Sequence, residues 1–301
     1  MFSDKSRDIS VRRRKKKRIN LSRLIFGIAL MISLFVAVNA VVNLDLHSRT
    51  ASLPRSENIA WVAYDLADNK FYGQNENAVL KIASLAKLPV ALVIAKMAGK
   101  NEIDFEEQVA FVEADFVAGT GSLQDHIMPG DSLTVRRLCQ LMIEESDNIA
   151  YRMLVRFIGL DRIQEELGRL GVAVSFEGGN LASARDIAKV LREIWLMAPD
   201  QKSRAGNMIG WMLSSTYKDG IAKGLPPENL VANKEGFIGG SVVADAGLIL
   251  SPGPLLMVVI VNDMDDDESY QIIRDVSARL YDEIKNEKPG RLKGRGTQPG
   301  L

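Results

Sequence analysis

Three stretches near the C-terminal end, "LVANKEGFIG", "SVVADAGLIL" and "LLMVVIVND", read as successive β-strands, with turns at "GG" and "SPGP". Strands need partners, and a matching pattern lies far away at the other end of the same region. There "NIAWVAYDL" alternates, with Ile59, Trp61 and Ala63 on one side, and "ADNK" turns it into "FYGQNE". Between the two ends, from Ser84 to about Tyr217, apolar residues recur at three and four positions in "SLTVRRLCQLMIEE", "NIAYRMLVRFI", "LDRIQEELGRL" and "ARDIAKVLREIWLM". Gly159, Gly168 and Gly171 read as helix stops, and "ESYQIIRDVSARLYDEI" as a closing helix. Strands at both ends with helices between them predict an α/β (α+β) domain whose two ends share one sheet.

Charge divides the 301 residues further. The first 23 carry ten basic and two acidic side chains, and residues 286–301 carry four and one, which leaves −11 for residues 24–285 in a chain of zero formal charge. Directly after the basic segment, residues 24–44 form an apolar run broken only by Ser33 and two asparagines, long enough to span a bilayer as a helix. Basic residues stay on the cytoplasmic side, so the expected organisation is a cytoplasmic segment 1–23, a single-pass plasma-membrane anchor 24–44 with the N-terminus inside, a linker 45–55, an extracytoplasmic domain 56–285 and a disordered basic tail 286–301. The alternative is a signal peptide cleaved after Ala40 in "VNA". The basic cluster abuts the membrane run, so anionic lipid explains it and no nucleic-acid partner is expected. Cys139, the one cysteine, reads as a small core residue, and His47 and His126 are too isolated for a metal site, so no metal or other cofactor is expected.

Two Ser-x-x-Lys tetrads occur, Ser84 to Lys87 in "SLAK" and Ser215 to Lys218 in "SSTYK". Neither is informative alone. Ser84-Leu-Ala-Lys87 is followed in order by Ser146-Asp147-Asn148 between two helices and by Lys234-Glu235-Gly236 on the first late strand. Each has an ordinary reading: Ser84 or Ser146 as a helix N-cap, Lys234 as a solvated strand lysine. Together, in this order, they match the motif set of serine penicillin-recognising enzymes.

Over roughly residues 56–285 the chain resembles the class A β-lactamase-like family. The likeness includes "GTGSLQDHIMPGDSLTVRRLCQLMIEESDNIAYRMLVRFIG" and "GLPPENLVANKEGFIGGSVVADAGLIL". The resemblance implies a β-lactamase/transpeptidase-like antiparallel sheet with a helical subdomain and the site between them. It implies Ser84 as nucleophile and Lys87 as its proton acceptor, on one helix face. Ser146 would relay a proton, Asn148 would hold the substrate backbone, and Lys234 would draw an anionic substrate. The oxyanion hole would combine the Ser84 amide with one near Ile238 or Gly239.

The pattern breaks at two places. Glu235 stands where the family carries Thr or Ser, and facing the site it would repel a substrate carboxylate. The segment "GVAVSFEGGN" is short, and Glu177 is the one candidate there for a deacylation base. The expected activity is therefore a serine acyl hydrolase acting on a β-lactam or an acyl-D-alanyl peptidoglycan peptide. The alternatives are a slow-turnover penicillin-binding, carboxypeptidase-like protein and a non-catalytic descendant that binds cell-wall peptide or a partner.

Overall fold

A computed structural model describes residues 53–251 and 253–286. The basic segment, the apolar run 24–44, most of the linker and the tail lie outside the described residues. No helix among the described residues is long and apolar enough to cross a membrane.

In chain order the strands are β1 (Ile59–Asp65), β2 (Lys70–Gln74), β3 (Val79–Lys81), β4 (Gln108–Ala110), β5 (Ser132–Thr134), β6 (Val174–Ser175), β7 (Leu181–Ser183), β8 (Val231–Ile238), β9 (Val242–Ile249) and β10 (Leu255–Asn262). The helices are α1 (Lys87–Gly99), α2 (Val135–Glu144), α3 (Asn148–Ile158), α4 (Leu160–Arg169), α5 (Ala184–Met197), α6 (Ala205–Leu213), α7 (Ile221–Gly224) and α8 (Asp266–Asn286). The main sheet runs β2-β1-β10-β9-β8, every pair antiparallel, so the two ends of the domain share one sheet as their patterns predict and meet at β1 and β10. Gly159 ends α3 and Gly171 follows α4, but Gly168 lies inside α4.

The sheet is buried on both faces, which is why β1, β9 and β10 read as near-continuous apolar runs. One face packs on α5 and the helical subdomain through Ala60, Val62, Ala244, Ala246, Val258 and Ile260. The other packs on α8, whose Ile273, Val276 and Leu280 are buried. β8 ends the strand order and is an edge. Cys139 is buried within α2, and burial pushes its thiol up, as suits a core residue.

Three helices of the subdomain begin on side-chain caps: Thr134 takes the Arg137 N–H, Asp147 that of Ala150 and Ser183 that of Asp186. Each such cap stabilises its helix by about 1 kcal/mol. The cap of α3 is thus Asp147, and Ser146, one residue earlier, is free for other contacts.

Candidate active site

Ser84 does not start an α-helix. It sits in a one-turn 3₁₀ segment, Ala83–Ala86, and α1 begins at Lys87. Ala83 lies in the left-handed region (φ 46°), which prevents the helix from extending backwards. The short loop after β6 supports that turn: Asn180 donates its side-chain amide to the Ala83 carbonyl at 3.1 Å, and its own carbonyl accepts the Ile82 N–H at 2.8 Å. Ser146 is left-handed too (φ 57°), and its carbonyl accepts the Thr120 hydroxyl at 2.7 Å. Non-glycine residues in this conformation are uncommon and cluster at functional sites.

The stretch "GTG" explains how the Ser146 loop is held. Gly121 (φ 103°) passes so close to Asp147 that a β-carbon there would lie 2.4 Å from its Cα, and one on Gly119 would lie 2.5 Å from Asn148 Nδ2. Asp147 is fully buried and accepts the N–H groups of Leu123 and Ala150, which locks loop and helix together.

These elements converge on one amine. Lys87 is buried, and its Nζ lies 2.9 Å from Ser84 Oγ, 3.0 Å from Ser146 Oγ, 2.8 Å from the Ser146 carbonyl and 2.7 Å from Asn148 Oδ1. The last two atoms can only accept. A neutral amine has two N–H groups and one lone pair; donating to the two carbonyl oxygens leaves that lone pair to accept from one hydroxyl at a time, Ser84 or Ser146. Lys87 is held well below the usual lysine range, first by burial and then by the Lys234 charge, with Asp147 pulling the other way. Such an amine can take a proton from Ser84.

β8 supplies the opposite wall. Lys234 is fully buried, its Nζ donates to the Glu235 carbonyl at 2.9 Å, and burial lowers it to about 8. Gly236 lies directly under the nucleophile turn: a β-carbon there would be 2.5 Å from the Ile82 carbonyl and 3.2 Å from the Ser84 nitrogen.

Side chains alternate along a strand, so Lys234 and Gly236 share the Ser84 face while Glu235 and Phe237 share the α8 face. Glu235, expected among the substrate contacts, therefore faces away from Ser84. Its carboxylate accepts the Gly220 N–H at 2.9 Å and the Tyr270 hydroxyl at 3.1 Å, and the Phe237 ring stacks on Tyr270 at 6.4 Å. The concern that Glu235 repels a carboxylate in the cleft falls with this geometry.

The backbone alternation matters equally. The Leu250 N–H bonds the Leu230 carbonyl, so with the observed register the even-numbered residues of β8 hydrogen-bond to β9 and the odd-numbered amides point away from it. Ile238 is even, and its carbonyl accepts Ser241 N–H in the turn that contains Gly239. The outward amide beside Gly236 belongs to Phe237, a residue that sequence reasoning passed over.

Glu177 also departs from expectation. It is exposed in a tight turn between β6 and β7 in which Gly178 and Gly179 are left-handed, and among the described residues no hydrogen bond or ion pair joins it to Ser84 or Lys87. Asn180, at the end of the turn, is the residue whose hydrogen bonds reach the Ser84 segment. The second tetrad is structural: Lys218 donates to the carbonyls of Met212 and Val231 and to Asn233 Oδ1. Among the described residues no group of three or more His, Cys, Asp or Glu could hold a metal.

The model of the beta-lactamase enzyme family matches residues 48–284. The beta-lactamase VEB-1 of Pseudomonas aeruginosa is 24% identical over 233 residues, covering 67% of this chain and 78% of the relative. A beta-lactamase of Streptomyces fradiae is 27% identical over 259 residues, covering 75% and 80%. Among solved structures, PBP-A superposes with a TM-score of 0.72 at 21% identity, over 80% of this chain and 96% of that one. A mutant of PBP-A solved as its acyl-enzyme complex with penicillin G gives 0.73 at 21% identity, with the same coverage.

Proposed function

Because the chain belongs to the beta-lactamase enzyme family, we propose that it forms an ester on Ser84 with a β-lactam or an acyl-D-alanyl cell-wall peptide and releases the acyl group slowly. The observation that carries this reading is the buried Lys87 amine, held by two carbonyl oxygens 2.9 Å from the Ser84 hydroxyl. Lys87 takes the Ser84 proton as Oγ attacks the carbonyl carbon. The amides of Ser84 and Phe237 receive the oxyanion. As the C–N bond breaks, Ser146 gives its proton to the leaving nitrogen and regains one from Lys87, which returns the amine to neutrality. Lys234, positive below about pH 8, keeps Lys87 deprotonated.

Slow release rests on the exposed position of Glu177 and the shortness of its turn. With Glu235 turned away from Ser84, one of the two objections to catalysis is removed, and the short loop remains as the support for the non-catalytic reading. Stopped-flow hydrolysis of a chromogenic cephalosporin should show a burst approaching one equivalent per Ser84, followed by a much slower linear phase. Linear turnover without a burst would mean that deacylation is fast, and the slow-release part of the reading would fail.

We also assign the domain to the outside of the plasma membrane, tethered through residues 24–44, on the strength of the apolar run and its basic flank. Alkaline carbonate extraction should leave the protein in the membrane pellet. A soluble chain beginning at Val41 would instead indicate cleavage.

A further inference from the structure

Behind the site lies a cluster of charged groups that the proposed chemistry does not use. Glu235 and Asp245 sit directly opposite each other on β8 and β9, both side chains on the α8 face and both buried. They stand at a non-hydrogen-bonded pair, where cross-strand side chains come closest.

Their partners are all uncharged. Glu235 takes the Gly220 N–H and the Tyr270 hydroxyl; Asp245 takes the Ile221 N–H at 2.7 Å and the Asn233 amide at 3.0 Å. Among the described residues no cation forms an ion pair with either. Lys218, nearest on the α6–α7 connection, spends its donors on two carbonyls and Asn233. Lys234 lies on the other face, Asp219 adds negative charge, and Arg274 of α8 lies over the Tyr270 ring at 5.9 Å.

We infer that Glu235 is a positioning residue: with Asp245 it holds a single negative charge behind β8, and loss of the remaining proton loosens β8 where it carries Lys234 and the Phe237 amide. The functional part of this rests on the reading of Ser84 given above; the conformational part does not. Two facing buried carboxylates cannot both ionise without strong repulsion. Burial, the largest cause for each, pushes both groups above the carboxylate range, and for Asp245 the Glu235 charge adds to it. The Tyr270 hydroxyl and the Gly220 amide tie Glu235 to α8 and to the α6–α7 connection, so separation of the pair pulls on both anchors.

The sign follows from proton linkage. A carboxyl raised in the folded state binds a proton that the unfolded chain has already released, so its contribution is complete below about pH 4 and is lost as pH rises through the folded value. The test is the melting temperature of the full chain in detergent from pH 5.5 to 9, wild type against Glu235→Gln and Asp245→Asn. We expect the wild type to lose several degrees more than either variant over that range. Amide exchange in residues 231–238, corrected for intrinsic rates, should quicken relative to β1 by at most about tenfold per pH unit, the limit for one proton. Acylation of Ser84 by a fluorescent penicillin should decline on the alkaline side more steeply in the wild type than in Glu235→Gln, where the titration of Lys234 at about 8 remains.

Parallel melting curves for wild type and Glu235→Gln would overturn the inference, as would exchange in β8 that tracks β1 at every pH. If neither variant folds, the wild-type exchange decides. Absence of acylation in every variant would count against the proposed function and leave the melting and exchange comparisons intact.

Discussion

Lys87→Met is expected to lower the rate of Ser84 acylation by about 10²- to 10⁴-fold, the range associated with loss of a positioned general base. Methionine fills most of the lysine's volume, so the variant removes the amine and little of the packing. It also removes a buried group whose charged form burial disfavours, and with it the contacts to Ser146 and Asn148. Thermal stability should therefore change by no more than a few degrees while acylation collapses, a separation that marks active-site groups. The pH profile gives the same residue a second signature. Acylation requires the free amine, so the wild-type rate should rise with pH through a midpoint well below that of an ordinary lysine, and this limb should vanish in Lys87→Met. Acylation of the variant within a few-fold of wild type would remove Lys87 from the chemistry.

Gly236→Ala should also be damaging, for a different reason. The new methyl group, fixed directly to the β8 backbone, would meet the backbone carbonyl of Ile82 at 2.5 Å. Either β8 or the Ala83–Ala86 turn must move, and the turn is already held by Asn180 on its other side. Overpacking of this kind costs about 1–3 kcal/mol. The same displacement separates the Ser84 and Phe237 amides, so acylation should fall by at least about tenfold, as expected for a misplaced catalytic group. Denaturant unfolding together with the acylation rate measures both. An alanine variant that acylates at the wild-type rate would show that β8 and the nucleophile turn need no such close approach.

What the sequence made legible, and what it did not, follows from the range of each interaction. That the two ends of the domain share one sheet was readable because both carry apolar, β-rich segments bounded by turn residues, whereas the pairing of β1 with β10 in particular was not. The three motifs were readable as a set. The direction of Glu235 was readable as well: once residues 231–238 are a strand, Lys234 and Glu235 must point to opposite faces. The same alternation selects the Phe237 amide over that of Ile238, but only after the pairing with β9 fixes which amides are free.

Other features depend on contacts between segments remote in the chain. Neither the left-handed Ala83 nor its support from Asn180, 97 residues away, has a local signature. The 3₁₀ start before α1 follows from them, which is why a plain helix start was expected at Ser84. Asp147 could have been recognised as the α3 cap by its place before "NIAYRML", whereas the Gly121 contact that buries it could not.

The central claim is a covalent bond to Ser84, and intact-mass spectrometry tests it most directly. The protein would be sampled over time after addition of penicillin G, with Ser84→Ala alongside. The account predicts a mass gain of one penicillin that appears in the wild type, is absent from Ser84→Ala and outlasts removal of free ligand. No gain at saturating penicillin or with an acyl-D-alanyl thioester, or an equal gain in Ser84→Ala, would contradict it.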